Sequence, residues 1–327
     1  MKNIQVLLKS RPEGAPSEDN FEIVEGPVPE VGEGGVLRRA LWLSVDPYMR
    51  ARMSTAKSYA EPATVGEPMV GGSVSEVVAS NNPRYAPGDI VVGFDGWQSY
   101  AVSDGKGLRK LDPTQAPPSY ALGVLGMPGL TAYVALLDFG KPKEGETVVV
   151  SAAAGAVGSI AGQIAKVKGC RVIGLAGSDA KCDYVTSELG FDECINYKTA
   201  ELKTALPDGI DIYFDNVGGA ILDAALRKLN VFARIPLVGL ISQYNDAKPQ
   251  PGPNLGPILS SRATLSGMIV TDHAHRFPDF IRDMAGWVKE GKVKLREDVI
   301  EGIENTPRAF LGLFTGENLG KRIVKVG

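Results

Sequence analysis

Histidine and cysteine are almost missing from this chain. Its 327 residues include two histidines, His273 and His275, and three cysteines, Cys170, Cys182 and Cys194. The histidines form no H-E-x-x-H pattern and the cysteines no C-x-x-C pair, so a catalytic metal centre has no ligand set and none is expected. A sparse, odd set of cysteines fits a reducing compartment and unpaired thiols, partly buried or at the surface. Long apolar runs are missing as well. The opening Met1-Lys2-Asn3-Ile4-Gln5-Val6-Leu7-Leu8-Lys9 is too short and too broken for a signal peptide, and nothing approaches the ~18 apolar residues of a membrane span. The expectation is a cytoplasmic protein with no membrane partner. An excess of one charge is absent too. Lys and Arg number 35 against 38 Asp and Glu, a net charge of -3. No basic stripe offers a surface for nucleic acid.

What is present is an ordinary globular mixture, 44% hydrophobic and 22% charged, in a chain long enough for two cores. Up to about Leu122 short apolar runs such as Val36–Leu43, Gly72–Val78 and Asp89–Gly93 alternate with Gly and Pro. This pattern predicts a barrel-like β domain. From about Met127 the rhythm changes. Strand candidates Thr147–Val150, Arg171–Ala176, Glu193–Asn196, Ile210–Phe214, Ala233–Leu240 and Thr264–Ile269 are interleaved with helical stretches. Among these are Met127–Phe139, Ala156–Lys168, Asp179–Leu189, Ala220–Lys228 and Phe277–Lys289. Such alternation predicts an α/β domain with a doubly wound parallel sheet. The remaining tail reads as short strands ending in Arg322–Val326. The expected division is residues 1–122 with 298–327 in one domain and 123–297 in the other.

The strongest chemical signal is Val148-Val149-Val150-Ser151-Ala152-Ala153-Ala154-Gly155-Ala156-Val157-Gly158, a strand, a small-residue turn and the start of a helix. Small residues let the backbone approach a dinucleotide pyrophosphate. The helix N-terminus then meets its charge. The candidate phosphate-binding residues are Ala153, Gly155, Ala156, Val157 and Gly158, with Ala153 standing where the first glycine of G-x-G-x-x-G belongs. The second strand ends at Leu175-Ala176-Gly177-Ser178-Asp179-Ala180-Lys181. An NAD enzyme carries an acid there for the ribose 2′-hydroxyl. No acid sits at Gly177, Asp179 is placed to open the next helix, and Lys181 lies one turn in. NADP is therefore the expected cofactor.

Further motifs complete the pattern: Val45-Asp46-Pro47-Tyr48-Met49-Arg50, Gly126-Met127-Pro128-Gly129-Leu130-Thr131-Ala132-Tyr133, Phe214-Asp215-Asn216-Val217-Gly218-Gly219, Gly239-Leu240-Ile241-Ser242-Gln243-Tyr244-Asn245 and Glu317-Asn318-Leu319-Gly320-Lys321. End to end, the chain resembles the zinc-independent medium-chain dehydrogenases/reductases. Within them it resembles the prostaglandin reductases (leukotriene B4 12-hydroxydehydrogenases), alkenal double-bond reductases and NADPH-dependent curcumin reductases. The resemblance implies a GroES-like β-barrel catalytic domain, a Rossmann NADP-binding domain and a homodimer. It implies that Lys181 and Tyr197 contact the 2′-phosphate, helped by Asn318, with Ser178, Asn216, Ser242, Met127 and Thr131 also along the cofactor. Tyr48 and Tyr244 are the tyrosines it places at the substrate. Where zinc relatives have a Gly-His-Glu motif, this chain reads Gly66-Glu67-Pro68-Met69-Val70-Gly71-Gly72.

The reaction so implied is reduction of the carbon–carbon double bond of an α,β-unsaturated ketone or aldehyde, with hydride arriving at the β-carbon. The loop from Asp246 to Pro257 adds no tyrosine, which leaves Tyr244 or water as proton donor. Two rival readings share the cofactor domain: a zinc-free NADPH quinone oxidoreductase, and a cofactor-binding protein without turnover. Trp42, Trp97 and Trp287 read as core or interface anchors.

Overall fold

The computed structural model describes residues 2–248 and 250–326. The chain divides into two packed units. One holds everything up to Leu122, Glu297–Asn318 and the residues from Arg322 onward. The other holds Gly123–Arg296 and Leu319–Lys321.

In the first unit, β1 (Lys2–Leu8) and β2 (Phe21–Pro27) pair antiparallel. Next come β3 (Val36–Ser44), a short helix α1 (Met49–Arg52), β4 (Ser73–Ser80), β5 (Ile90–Gly93), β6 (Tyr100–Ser103) and β7 (Arg109–Leu111). β3 is the most buried of these, with Val36, Leu37, Ala40 and Leu43 all in the core. It pairs antiparallel with both β4 and β6.

The second unit begins with α2 (Met127–Val134), which continues as a wider π-helical turn over Ala135–Gly140. Then β8 (Thr147–Val150), α3 (Gly158–Val167), β9 (Arg171–Ala176), α4 (Asp179–Ser187) and β10 (Glu193–Asn196) follow. After a short α5 (Leu202–Ala205) come β11 (Ile210–Phe214), α6 (Gly219–Leu226), β12 (Leu229–Leu237), α7 (Gly256–Ser261), β13 (Thr264–Gly267) and α8 (Phe277–Lys289). The sheet runs β10-β9-β8-β11-β12-β13, all parallel. Its inner strands are apolar on both faces because helices cover both; Val148, Val149, Val150, Val172 and Ile173 are fully buried. The order reverses between β8 and β11, and in such sheets ligands bind beyond the carboxyl ends of the strands at that point.

The tail departs from expectation. Between β14 (Glu297–Glu301) and β15 (Lys321–Lys325) lies a ten-residue helix, α9 (Thr306–Thr315), where only short strands were expected. It drives Ala309, Phe310 and Leu313 into the core of the first unit. Phe310 meets Trp97 and Phe21 there edge to face, ring centroids 5.7 and 6.2 Å apart. Trp97 is a core anchor, fully buried. β15 pairs antiparallel with β3, Ile323 opposite Ser44. The expected tail of 298–327 is also interrupted, since Leu319–Lys321 group with the parallel-sheet unit.

Phe310 therefore ties the tail into the first unit's core. Phe310→Ala should destabilise that unit by ~3–5 kcal/mol, the usual cost of emptying a buried aromatic site. Denaturant unfolding measures it; a loss below about 1 kcal/mol would show that α9 is dispensable to that core.

Candidate functional site

The site grows from the carboxyl ends of β8, β11 and β12. β8 ends at Val150 and the chain turns through Ser151–Val157 into α3. The turn requires one left-handed residue, and it is Ala152, at φ 50. Ala153, in the first fingerprint position, is fully buried, and its N–H donates to the Leu175 carbonyl at 3.0 Å. That position needs no positive φ, which is why alanine serves there. Gly158 is required by contact: a Cβ on it would lie 2.4 Å from the Ala152 carbonyl oxygen. Ala156 and Val157 lead into the helix, half-buried. Gly320 donates to the Ala154 carbonyl at 2.8 Å and pairs with Gly155, holding the far side of the turn.

Beside this turn, β11 delivers Asp215, fully buried. Its carboxylate accepts from the Ser151 and Tyr213 hydroxyls, each at 3.0 Å, and from the backbone N–H groups of Val217 and Gly218. Burial nonetheless pushes the carboxyl above the usual carboxylate range, against the pull of these donors. Asn216 is fixed through the same serine. Its N–H donates to Ser151 Oγ at 2.8 Å and its Nδ2 to the Ser151 carbonyl at 2.7 Å. Asp215 escaped the sequence reading; the only signal was an acid directly after an apolar strand.

The third strand end carries Ser242 and Tyr244. Ser242 Oγ donates to the Val217 carbonyl at 2.6 Å, closing the loop over the Gly218-Gly219 turn. The Tyr244 hydroxyl accepts from the Leu240 N–H at 3.3 Å, which leaves its own proton to offer. Burial raises its pKa.

At the end of β9 a second cluster forms. Ser178 caps α4, its Oγ accepting from the Lys181 N–H at 3.3 Å. The Tyr197 hydroxyl lies over Gly177, 2.9 Å from where a Cβ would sit. Asp179 opens the helix and accepts from Asn196 Nδ2 at 2.8 Å. The strand end thus carries two hydroxyls, those of Ser178 and Tyr197, at the first turn of the helix that bears Lys181, and no acid at the strand end itself.

Other predicted positions are carried by other elements. Thr131, buried in α2, donates its hydroxyl to the Met127 carbonyl at 2.8 Å, and Met127 is 37% exposed. Tyr48 belongs to the first unit, where it packs against the core at the start of α1. Burial, then the neighbouring Asp46, raises its pKa. Asn318, also in that unit, is half-buried, two residues before Gly320. Among the described residues no group of three or more His, Cys, Asp or Glu side chains is arranged to hold a metal ion. The geometry fits a dinucleotide: a turn with no room for a side chain at Gly158, a ten-residue helix behind it, and the Ser178 and Tyr197 hydroxyls at the next strand end.

Known proteins share this plan. Residues 4–111 match the family described as the N-terminal domain of oxidoreductase, and residues 156–286 the family described as zinc-binding dehydrogenase. The NADPH-dependent curcumin reductase of Escherichia coli K12 is 50% identical, covering 99% of this chain and 97% of that protein. The NADP(+)-dependent 2-alkenal reductase of Nicotiana tabacum is 43% identical, covering all of this chain and 98% of that one. The crystal structure of CurA from Vibrio vulnificus in complex with NADPH superposes with a TM-score of 0.95, at 49% identity and over 99% of each chain.

Proposed function

The chain belongs to the medium-chain dehydrogenase/reductase family, and from that premise we propose that it is an NADPH-dependent reductase of the carbon–carbon double bond in α,β-unsaturated ketones and aldehydes. The observation that carries this reading is the end-to-end similarity to curcumin and alkenal reductases. The turn at Ser151–Gly158 is to hold the pyrophosphate. Lys181, Ser178 and Tyr197 are to receive the 2′-phosphate, with Asn318 assisting, and Asn216 and Ser242 lie along the rest of the cofactor.

NADPH, when bound, supplies a hydride for the β-carbon of the substrate. Negative charge then gathers on the carbonyl oxygen as an enolate, and that oxygen needs hydrogen-bond donors fixed in advance. Tyr244 is suited to this. The Leu240 N–H fixes its oxygen in a bond that does not use the hydroxyl proton. Its raised pKa keeps it protonated at neutral pH, so it acts as donor and not as base. Tyr48 is assigned to substrate binding.

The proposal includes a homodimer. β13 ends the sheet order, and around it Leu259, Leu255, Phe232 and Val231 are all more than half exposed. An apolar patch beside a strand edge is an association surface. Light scattering should give twice the chain mass, and Leu259→Asp should shift the protein towards monomer. A monomeric wild type would remove this part.

NADPH should bind at least tenfold more tightly than NADH, equivalent to ~1.4 kcal/mol, and Lys181→Ala should erase most of that gap. Equal affinities in the wild type would refute the cofactor assignment.

For the reaction, NADPH oxidation across enals, enones, quinones and simple aldehydes should be fastest with the unsaturated carbonyls. The product should be the saturated carbonyl. An allylic alcohol, or a preference for quinones, would overturn the assignment. Tyr244→Phe should lower kcat by ~10- to 10³-fold with little change in KM, because the lost bond strengthens in the transition state. Tyr48→Phe should act mainly on KM. If Tyr244→Phe transfers hydride at the wild-type rate in stopped flow, water takes over the proton.

A further inference from the structure

Two of the three thiols are not isolated. Cys182 lies in the first turn of α4, next to Lys181, and Cys194 lies in β10, three residues before Tyr197. β10 runs parallel to β9 with Cys194 level with Gly174. The missing side chain there makes room for sulfur, since a Cβ would come within 3.3 Å of Cys194 Sγ. Val185, one turn along α4 from Cys182, shares that space, so α4 sets Cys182 against Cys194 and each thiol acts on the other. Cys170 stands apart, buried and bonded to the Lys143 carbonyl at 3.3 Å.

We propose that Cys182 and Cys194 form an oxidisable dithiol that a peroxide converts to a disulfide, and that this bond weakens NADPH binding through the helix turn carrying Ser178 and Lys181. The consequence for binding rests on the 2′-phosphate assignment made above; the disulfide itself does not.

The chemistry balances in two steps. The Cys182 sulfur attacks one peroxide oxygen; the S–O bond forms, the O–O bond breaks, and the departing hydroxide leaves as water with the thiol proton. The Cys194 sulfur then displaces the hydroxyl of the resulting sulfenic acid. The S–S bond forms, the S–O bond breaks, and a second water leaves with the Cys194 proton. Two thiols lose two electrons and the peroxide gains them. Burial raises both thiols, Cys194 further than Cys182, which makes Cys182 the attacking sulfur. Burial, aided at Cys182 by Asp179 and Asp183 and at Cys194 by Asp183, holds both thiols protonated. Reaction is therefore slow and answers to sustained oxidant.

A disulfide is shorter than any non-bonded approach of two sulfurs. Closing it draws the first turn of α4 towards β10 and shifts the Ser178 cap and Lys181 relative to Tyr197. NADH, lacking the 2′-phosphate, is indifferent to that shift.

The test treats the full-length protein with hydrogen peroxide, blocks remaining thiols and maps peptides without reduction. A linked Cys182–Cys194 peptide is expected, with Cys170 still alkylated. The NADPH dissociation constant, read by fluorescence, should rise about tenfold, that for NADH should hold, and dithiothreitol should reverse both changes. Cys194→Ser, and Cys182→Ala should the former fail to fold, should abolish the link and keep NADPH affinity under peroxide. Absence of the linked peptide overturns the proposal. A linked protein that binds NADPH as before overturns the coupling, while the ratio of NADPH to NADH affinity in untreated protein decides separately whether the 2′-phosphate assignment stands.

Discussion

One buried carboxylate fixes the strand ends on which the candidate site is built. Asp215 sits where burial penalises its charge, so it persists only with its donors in place. Those donors come from β8 through Ser151, from β11 through Tyr213, and from the following turn through Val217 and Gly218. Its main chain binds the next strand as well, donating to Pro236 and accepting from Val238 and Gly239. Three strand ends are thereby held in one register, and the side chains that follow them, Asn216, Ser242 and Tyr244, inherit that placement. Buried polar networks are costly when partly satisfied and rigid when complete, and this one is well supplied with donors.

The parallel sheet was legible because its strands are buried on both faces and read as continuous apolar runs. Arg171–Ala176 and Ile210–Phe214 have the same bounds in sequence and in structure. Strand β12 was read as Ala233–Leu240 and runs from Leu229 to Leu237. Its first part bulges, with Phe232 in a left-handed conformation, φ 65, which no periodicity announces. The tail helix was missed for a tertiary reason. Gly312 interrupts the helical pattern, yet a side chain there would strike Arg322 and Glu317. What holds the helix is the burial of Ala309, Phe310 and Leu313, which local propensity does not register.

At the site, α4 begins at Asp179, whose carboxylate accepts from Asn196. The cap at Ser178 was less visible: it was marked as a cofactor residue, and its hydroxyl already serves the helix. A serine hydroxyl has a second lone pair and a proton, so both uses are compatible. Thr131 is a harder case, since its buried hydroxyl is already bonded one turn back along its own helix. Asp215 was hidden because burial of an acid is decided by donors scattered from Ser151 to Gly218, a separation that no short motif encodes.

The turn after β8 carries its left-handed residue as an alanine. Glycine would adopt that conformation freely, whereas an alanine at φ 50 costs on the order of 1 kcal/mol. In exchange, Ala152 has fewer shapes to lose. The penalty falls once, when the chain folds, and not each time a dinucleotide arrives. On the proposed assignment of this turn to the pyrophosphate, a backbone set in advance needs less ordering by the ligand and leaves more of the contact energy as affinity.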